Sequence, residues 1–148
     1  MKRNYFEDLS IGWSARGAEV VVERDEMLRF AAQYDPQPMH LSDAGAQAIG
    51  LSRTIASGAY TFALSSASMQ PIVGQLAFLP GGLGFEMSFT APVFAGDRLR
   101  LISEIIGLRR SSKSARGWAN MHSPFLNEDD AVVLEIKNFW FIACRPGD

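Results

Sequence analysis

Two side chains able to move a proton near neutral pH stand five positions apart in the stretch YDPQPMH, namely Asp35 and His40. A carboxylate that titrates near pH ~4 and an imidazole near ~6.5 can together take up and return a proton. Spacing alone fits a blander arrangement equally well, with Asp35 capping a turn and His40 hydrogen-bonded for structure. The loop between them sharpens the case. Asp-Pro favours a turn with Asp at its first position, and Gln37 is pushed to an extended conformation by Pro38. Few conformers remain, so both groups are held at low entropic cost.

A second cluster is purely cationic. Arg109, Arg110, Lys113 and Arg116 lie close together with no acid among them, a pattern that suits an anionic ligand or a solvated loop. Other chemistries are poorly served. Cys144 is the lone cysteine, so no intrachain disulfide or cysteine metal cluster can form, and the two histidines, His40 and His122, make a poor zinc site; no metal is expected. No Gly-x-Gly-x-x-Gly or P-loop is present. A net charge of −2 gives no reason to expect nucleic acid.

The elements that must carry these groups follow from periodicity. ARGAEVVVE reads as a strand. RDEMLRFAAQY spaces Met27, Phe30, Ala31 and Tyr34 as the inner face of a helix that Pro36 and Pro38 bring to an end. SDAGAQAIG reads as a second short helix, capped by Ser42 and stopped near Gly50. SGAYTFALSSASMQPIVG begins a third helix at Ser57, with Pro71 expected to disturb or end it. Its body is small, apolar or hydroxylic on every face, which implies a central helix surrounded by sheet. From Leu83 the period becomes two: Leu83, Phe85, Met87, Phe89 and Ala91 alternate with polar neighbours in a half-buried strand. DRLRLISEIIGL, GWANMHSPFLN and AVVLEIKNFWFIA supply further strands, the last with Val132, Leu134, Ile136, Trp140 and Ile142 on one face. His122 shares its face with Trp118 and Asn120 and reads as structural, while Phe139 and Trp140 read as core or dimer contacts. Helices segregated from an antiparallel sheet mean α+β, here a hot-dog fold, the sheet wrapped around one helix, in a single domain over residues 1–148.

Beyond this composition and patterning, FAAQYDPQPMHLSDAGAQAIG with the following ASGAYTFAL resembles the MaoC-like dehydratase family, which includes the (R)-specific enoyl-CoA hydratases. FTAPVFAGDRLRL and the opening NYFEDLSIGW extend the resemblance over nearly the whole chain. It implies a hot-dog fold, a homodimer or higher homo-oligomer, and reversible addition of water across the 2,3 double bond of an enoyl-CoA or related thioester, with coenzyme A as part of the substrate and no separate cofactor. Asp35 and His40 match the family's catalytic pair. Gly58 matches the position whose N–H points at the thioester oxygen, where backbone donors at a helix start stabilise developing negative charge. Ser57 stands where many relatives carry histidine and also fits a plain helix cap. Arg109, Arg110, Lys113 and Arg116 become candidate ligands of the coenzyme A phosphates. Two positions depart from the common signature Gly-Asp-x-Asn-Pro-x-His, Tyr34 replacing the glycine and Gln37 the asparagine, and Gln37 and Ser57 are candidate substrate contacts.

Two other readings compete. A hot-dog thioesterase commonly places an acid in the central helix, and this helix has none. A non-catalytic acyl-CoA or acyl-carrier binding protein would need a pocket and a basic rim but no paired acid and base. A cytoplasmic protein is expected from the lone cysteine and the lack of an apolar leader, and the charge-free stretch from Thr54 to Phe85 is too interrupted by polar residues to be expected to span a membrane.

Overall fold

The computed structural model describes residues 3–147, with residues 82 and 83 described by their backbone alone; the expected facing of the Leu83 side chain therefore falls outside that description. The chain runs β1 (Ser14–Val21), α1 (Arg24–Tyr34), α2 (Pro38–Leu41), α3 (Asp43–Gln47) and α4 (Gly58–Gln75), then β2 (Phe78–Phe89), β3 (Arg98–Arg110), β4 (Arg116–His122), β5 (Phe125–Leu126) and β6 (Val132–Ala143). The strands join one antiparallel sheet in the order β1-β3-β4-β6-β2, with the short β5 paired to β3 and β6.

This sheet curls around α4. The helix meets β1 at one edge, where a Cβ on Gly17 would lie 2.3 Å from the Ser68 carbonyl oxygen. It also reaches β2 at the other edge, where the rings of Phe62 and Phe85 pack 5.4 Å apart. One helix can touch both edges only if the sheet bends round it, which is the hot-dog arrangement. Ser68 fastens the contact: its hydroxyl donates to the Ala18 carbonyl at 2.5 Å and accepts from the Leu101 N–H at 3.0 Å. Alternating residues of the long strands, Leu99, Leu101, Ile105, Met121, Ile136 and Ile142, form one buried core with Ile72 of α4, Leu76 at its end and Met27 of α1.

Several expectations need correction. Helix α4 continues through Pro71 to Gln75. Ala67 and Pro71 lie on its exposed side, so the carbonyl deprived of its partner by the proline can be hydrated and the loss is tolerated. The same exposed side is a face of the helix that the curled sheet of one chain leaves open. The apolar row of β2 is only partly covered, with Phe85 at 43%, Met87 at 42% and Phe89 at 56% exposure, because β2 is an edge strand with a neighbour on one side only. GWANMHSPFLN splits into β4 and β5 at Ser123-Pro124. Tyr34 is exposed at the end of α1, stacked on Phe30 at 5.0 Å rather than buried. The β6 face holds as expected, with Asn138 added to its buried row.

Candidate functional site

The segment after α1 is a chain of short local hydrogen bonds. Asp35 closes α1, its N–H donating to the Ala31 carbonyl at 2.9 Å. The Gln37 N–H then donates to the Asp35 carbonyl at 2.8 Å, and the His40 N–H to the Gln37 carbonyl at 2.9 Å. Pro38 sits at the first position of α2, where its missing N–H costs nothing. The stiff loop expected from the two prolines is thus partly a single helical turn, and His40 rides on it. Four residues are too few for a periodic signal, so sequence reasoning missed α2; proline at a helix start was the available clue. Glycine at position 45 lets α3 seat directly on α2, since a Cβ there would fall 2.1 Å from the Pro38 carbonyl oxygen.

His40 is buried, at 5% exposure. Its Nδ1 lies 3.0 Å from the Ile55 carbonyl oxygen, and its Nε2 lies 3.5 Å from Oδ2 of Asp35. The Gln37 side chain donates from Nε2 to Asp35 Oδ1 at 2.7 Å. The stretch carrying Ile55 is itself anchored. Thr54 donates through both its N–H and its hydroxyl to Oδ1 of Asp43, at 2.9 and 2.5 Å, and these bonds hold the Asp43 carboxyl below its ordinary range. Ile55 donates to the Met39 carbonyl at 3.2 Å, and Ala56 to the Val93 carbonyl at 2.8 Å. This mesh delivers the chain to the start of α4.

Ser57 is the N-cap of α4. Its fully buried hydroxyl accepts from the Tyr60 N–H at 3.1 Å, so the cap explains the residue. With that donor satisfied, Gly58 and Ala59 stand at the helix positions whose N–H groups have no intrahelical acceptor, at the positive end of the helix dipole. Tyr60, one turn in, donates to Glu26 at 2.8 Å; burial, reinforced by that bond, pushes its phenol well above the ordinary range.

Asp35, Gln37, His40 and Gly58 line one cavity of about 540 Å³, walled by Thr61 on α4 and by residues 89–93 at the end of β2. A Cβ on Gly58 would sit 2.8 Å from the tip of the Phe89 ring, so glycine is what lets that ring close against the head of α4. The cleft therefore presents a carboxylate and an imidazole on one wall and a helix start on the other.

The basic run lies elsewhere. Arg116 pairs with Ala143 at one end of β6, whereas Phe89 of the cavity pairs with Leu134 near the other, which separates the two regions by about 30 Å along the strand. Within one chain, Arg109, Arg110, Lys113 and Arg116 are not brought to Asp35 and His40. Arg109 stacks over Trp118 at 4.1 Å, Arg116 over Phe141 at 4.0 Å, and Arg110 pairs with Glu7 at 2.9 Å. Lys113 is exposed in the turn. His122 bonds Glu135 at 2.6 Å, away from the cleft. Among the described residues, no cluster of histidine, cysteine and carboxylates has the form of a metal site, and no helix is long and apolar enough to cross a membrane.

Known proteins resemble this chain in sequence and in fold. The family model described as "MaoC like domain" matches residues 10–122. The chain is 30% identical over 135 residues to the β-methylmalyl-CoA dehydratase of Chloroflexus aurantiacus, covering 89% of this chain but only 38% of that protein. It is 31% identical over 135 residues to an (R)-specific enoyl-CoA hydratase of Rhodospirillum rubrum, covering 88% and 91% of the two chains. The crystal structure of a MaoC-like dehydratase from Rhodospirillum rubrum superposes with a TM-score of 0.87 at 26% identity, over 97% of this chain and 99% of the other. On the match of the family model over most of its length, this chain belongs to the MaoC-like dehydratase family.

Proposed function

We propose that the protein is a hydratase or dehydratase that adds water reversibly across the 2,3 double bond of an enoyl-CoA or related acyl thioester. The observation that carries this reading is the meeting of Asp35, His40 and the Gly58 end of α4 in one cavity. A carbonyl oxygen can only accept, so the bond to Ile55 puts the proton of a neutral His40 on Nδ1 and leaves the Nε2 lone pair towards Asp35 and the cleft. Water held by the pair attacks Cβ of the enoyl thioester. One of its protons passes to the pair, and the pair delivers one proton to Cα, so the protonation state of the site is restored. The two groups work as a coupled unit. Charge that builds on the thioester oxygen is met by the free N–H groups at the start of α4.

The basic run enters this reading through a second copy. β2 is an edge strand with an exposed apolar row, the kind of edge that natural sheets pair or cover. Antiparallel pairing of two β2 edges in a homodimer carries the hairpin of residues 109–116 from the second copy to the end of the sheet that holds Asp35 and His40. There its cations would reach the coenzyme A phosphates.

The test is an absorbance assay that follows loss of the conjugated thioester over a panel of enoyl-CoAs, beside a free-thiol assay on the matching saturated acyl-CoAs. Hydration of at least one enoyl-CoA without thiol release supports the proposal. Thiol release alone favours a thioesterase, and binding without turnover a non-catalytic acyl-CoA protein.

A further inference from the structure

Gln37 is bonded three ways to the groups on either side of it. Its main chain links Asp35 to His40 through the two bonds described above, and its amide donates to Asp35 Oδ1 at 2.7 Å. The torsion that turns a carboxylate is broad and roughly two-fold, so an aspartate left alone presents either oxygen over a range of angles. Here one oxygen is engaged by Gln37, and the other, Oδ2, is the one 3.5 Å from His40 Nε2. From this geometry we infer that Gln37 is a positioning residue: its amide locks the rotation of the Asp35 carboxylate so that Oδ2 alone is presented to His40 and the cleft. This inference rests on the reading of Asp35 and His40 as an acid–base pair.

Side-chain length matters to the role. Gln37 has an extended backbone, φ −80° and ψ 143°, held between two prolines, so the loop has little freedom to bring a shorter amide closer. Asparagine, shorter by one methylene or about 1.5 Å of chain, would fall short of Oδ1. Glutamate would set a second carboxylate against the first and favour protonation of one of them. Glutamine in place of the family's common asparagine therefore gives the amide the length it needs to reach the carboxylate.

The experiment compares wild type with Gln37→Ala, Gln37→Asn and Gln37→Glu, using the enoyl-CoA that wild type hydrates fastest and thermal melting to confirm folding. A loosened carboxylate should lower kcat by on the order of 10²-fold in all three variants with KM nearly unchanged, since a misplacement of about 1 Å is enough for such a loss. A rise in KM at unchanged kcat, or full rescue by asparagine, would overturn the role. A second readout needs no turnover. In ¹H–¹⁵N spectra the Gln37 side-chain amide should lie away from the position of a free glutamine and return to it in Asp35→Ala. A Gln37 resonance indifferent to Asp35→Ala would overturn the inference whatever the activity. If the resonance moves as expected while wild type hydrates no thioester, the contact stands and the acid–base reading fails, and with it the positioning role in hydration.

Discussion

His40 is fixed from behind by Ile55: the imidazole Nδ1 and the Ile55 carbonyl oxygen are 3.0 Å apart. The bond sets both the tilt of a buried ring and the nitrogen that carries its proton. The neutral ring should be the Nδ1–H tautomer. Long-range ¹H–¹⁵N correlation spectra of the imidazole check this directly, and a protonated Nε2 in the neutral form would contradict it.

Ile55 is held in turn by the anchoring of Thr54 on Asp43, and a pH dependence follows. The Asp43 carboxyl is held below its ordinary value, chiefly by the Thr54 hydroxyl and then by its N–H. A depressed folded-state pKa contributes stability above the ordinary carboxylate value, and that stability is lost as pH falls through the depressed one. Thr54→Val removes the hydroxyl bond and should shrink this contribution. Denaturation midpoints from neutral pH down to strongly acidic pH should show wild type and Thr54→Val converging as the pH falls. A difference that grew on acidification would contradict the assignment.

Ser68 joins α4 to two strands at once, through Ala18 and Leu101. Ser68→Ala leaves the buried Leu101 N–H without its partner and frees the Ala18 carbonyl, an expected loss of about 1–3 kcal/mol. Urea denaturation measures it. Because Ser68 lies well down the helix from Gly58, hydratase activity at low temperature should be nearly unchanged.

The second-copy role of the basic hairpin separates phosphate binding from chemistry. The double variant Arg109→Ala/Lys113→Ala should raise KM for a coenzyme A thioester with little effect on kcat. The same acyl group on a short thiol lacking phosphates should show no difference between variant and wild type. Equal effects on both substrates would point to a structural role for the hairpin.

Much of the site was legible in the sequence because it is written in local constraints. Asp35-Pro36 and Gln37-Pro38 restrict the backbone wherever the loop lies, and Ser57 signals a helix start that places Gly58 at its first turn. The strands were legible from their period of two. What escaped was decided by packing between distant residues. Pro71 reads as a helix stop, and only the exposure of its side of α4 shows why the helix passes through it. Phe85, Met87 and Phe89 read as a half-buried face, but burial depends on a neighbour that strand order places on one side only. The direction of the Gln37 amide depends on a rotamer that no pattern encodes. The distance between the basic run and the acid–base pair depends on register along β6.

The central claim is that Asp35 and His40 together move the proton of an enoyl thioester hydration. Its most direct test is kcat of wild type against Asp35→Asn on the best enoyl-CoA, with folding verified by melting temperature. Asparagine keeps the shape and an oxygen for Gln37 but cannot act as a carboxylate, so the account predicts a fall in kcat of on the order of 10²-fold or more. Equal turnover by the two proteins would contradict it.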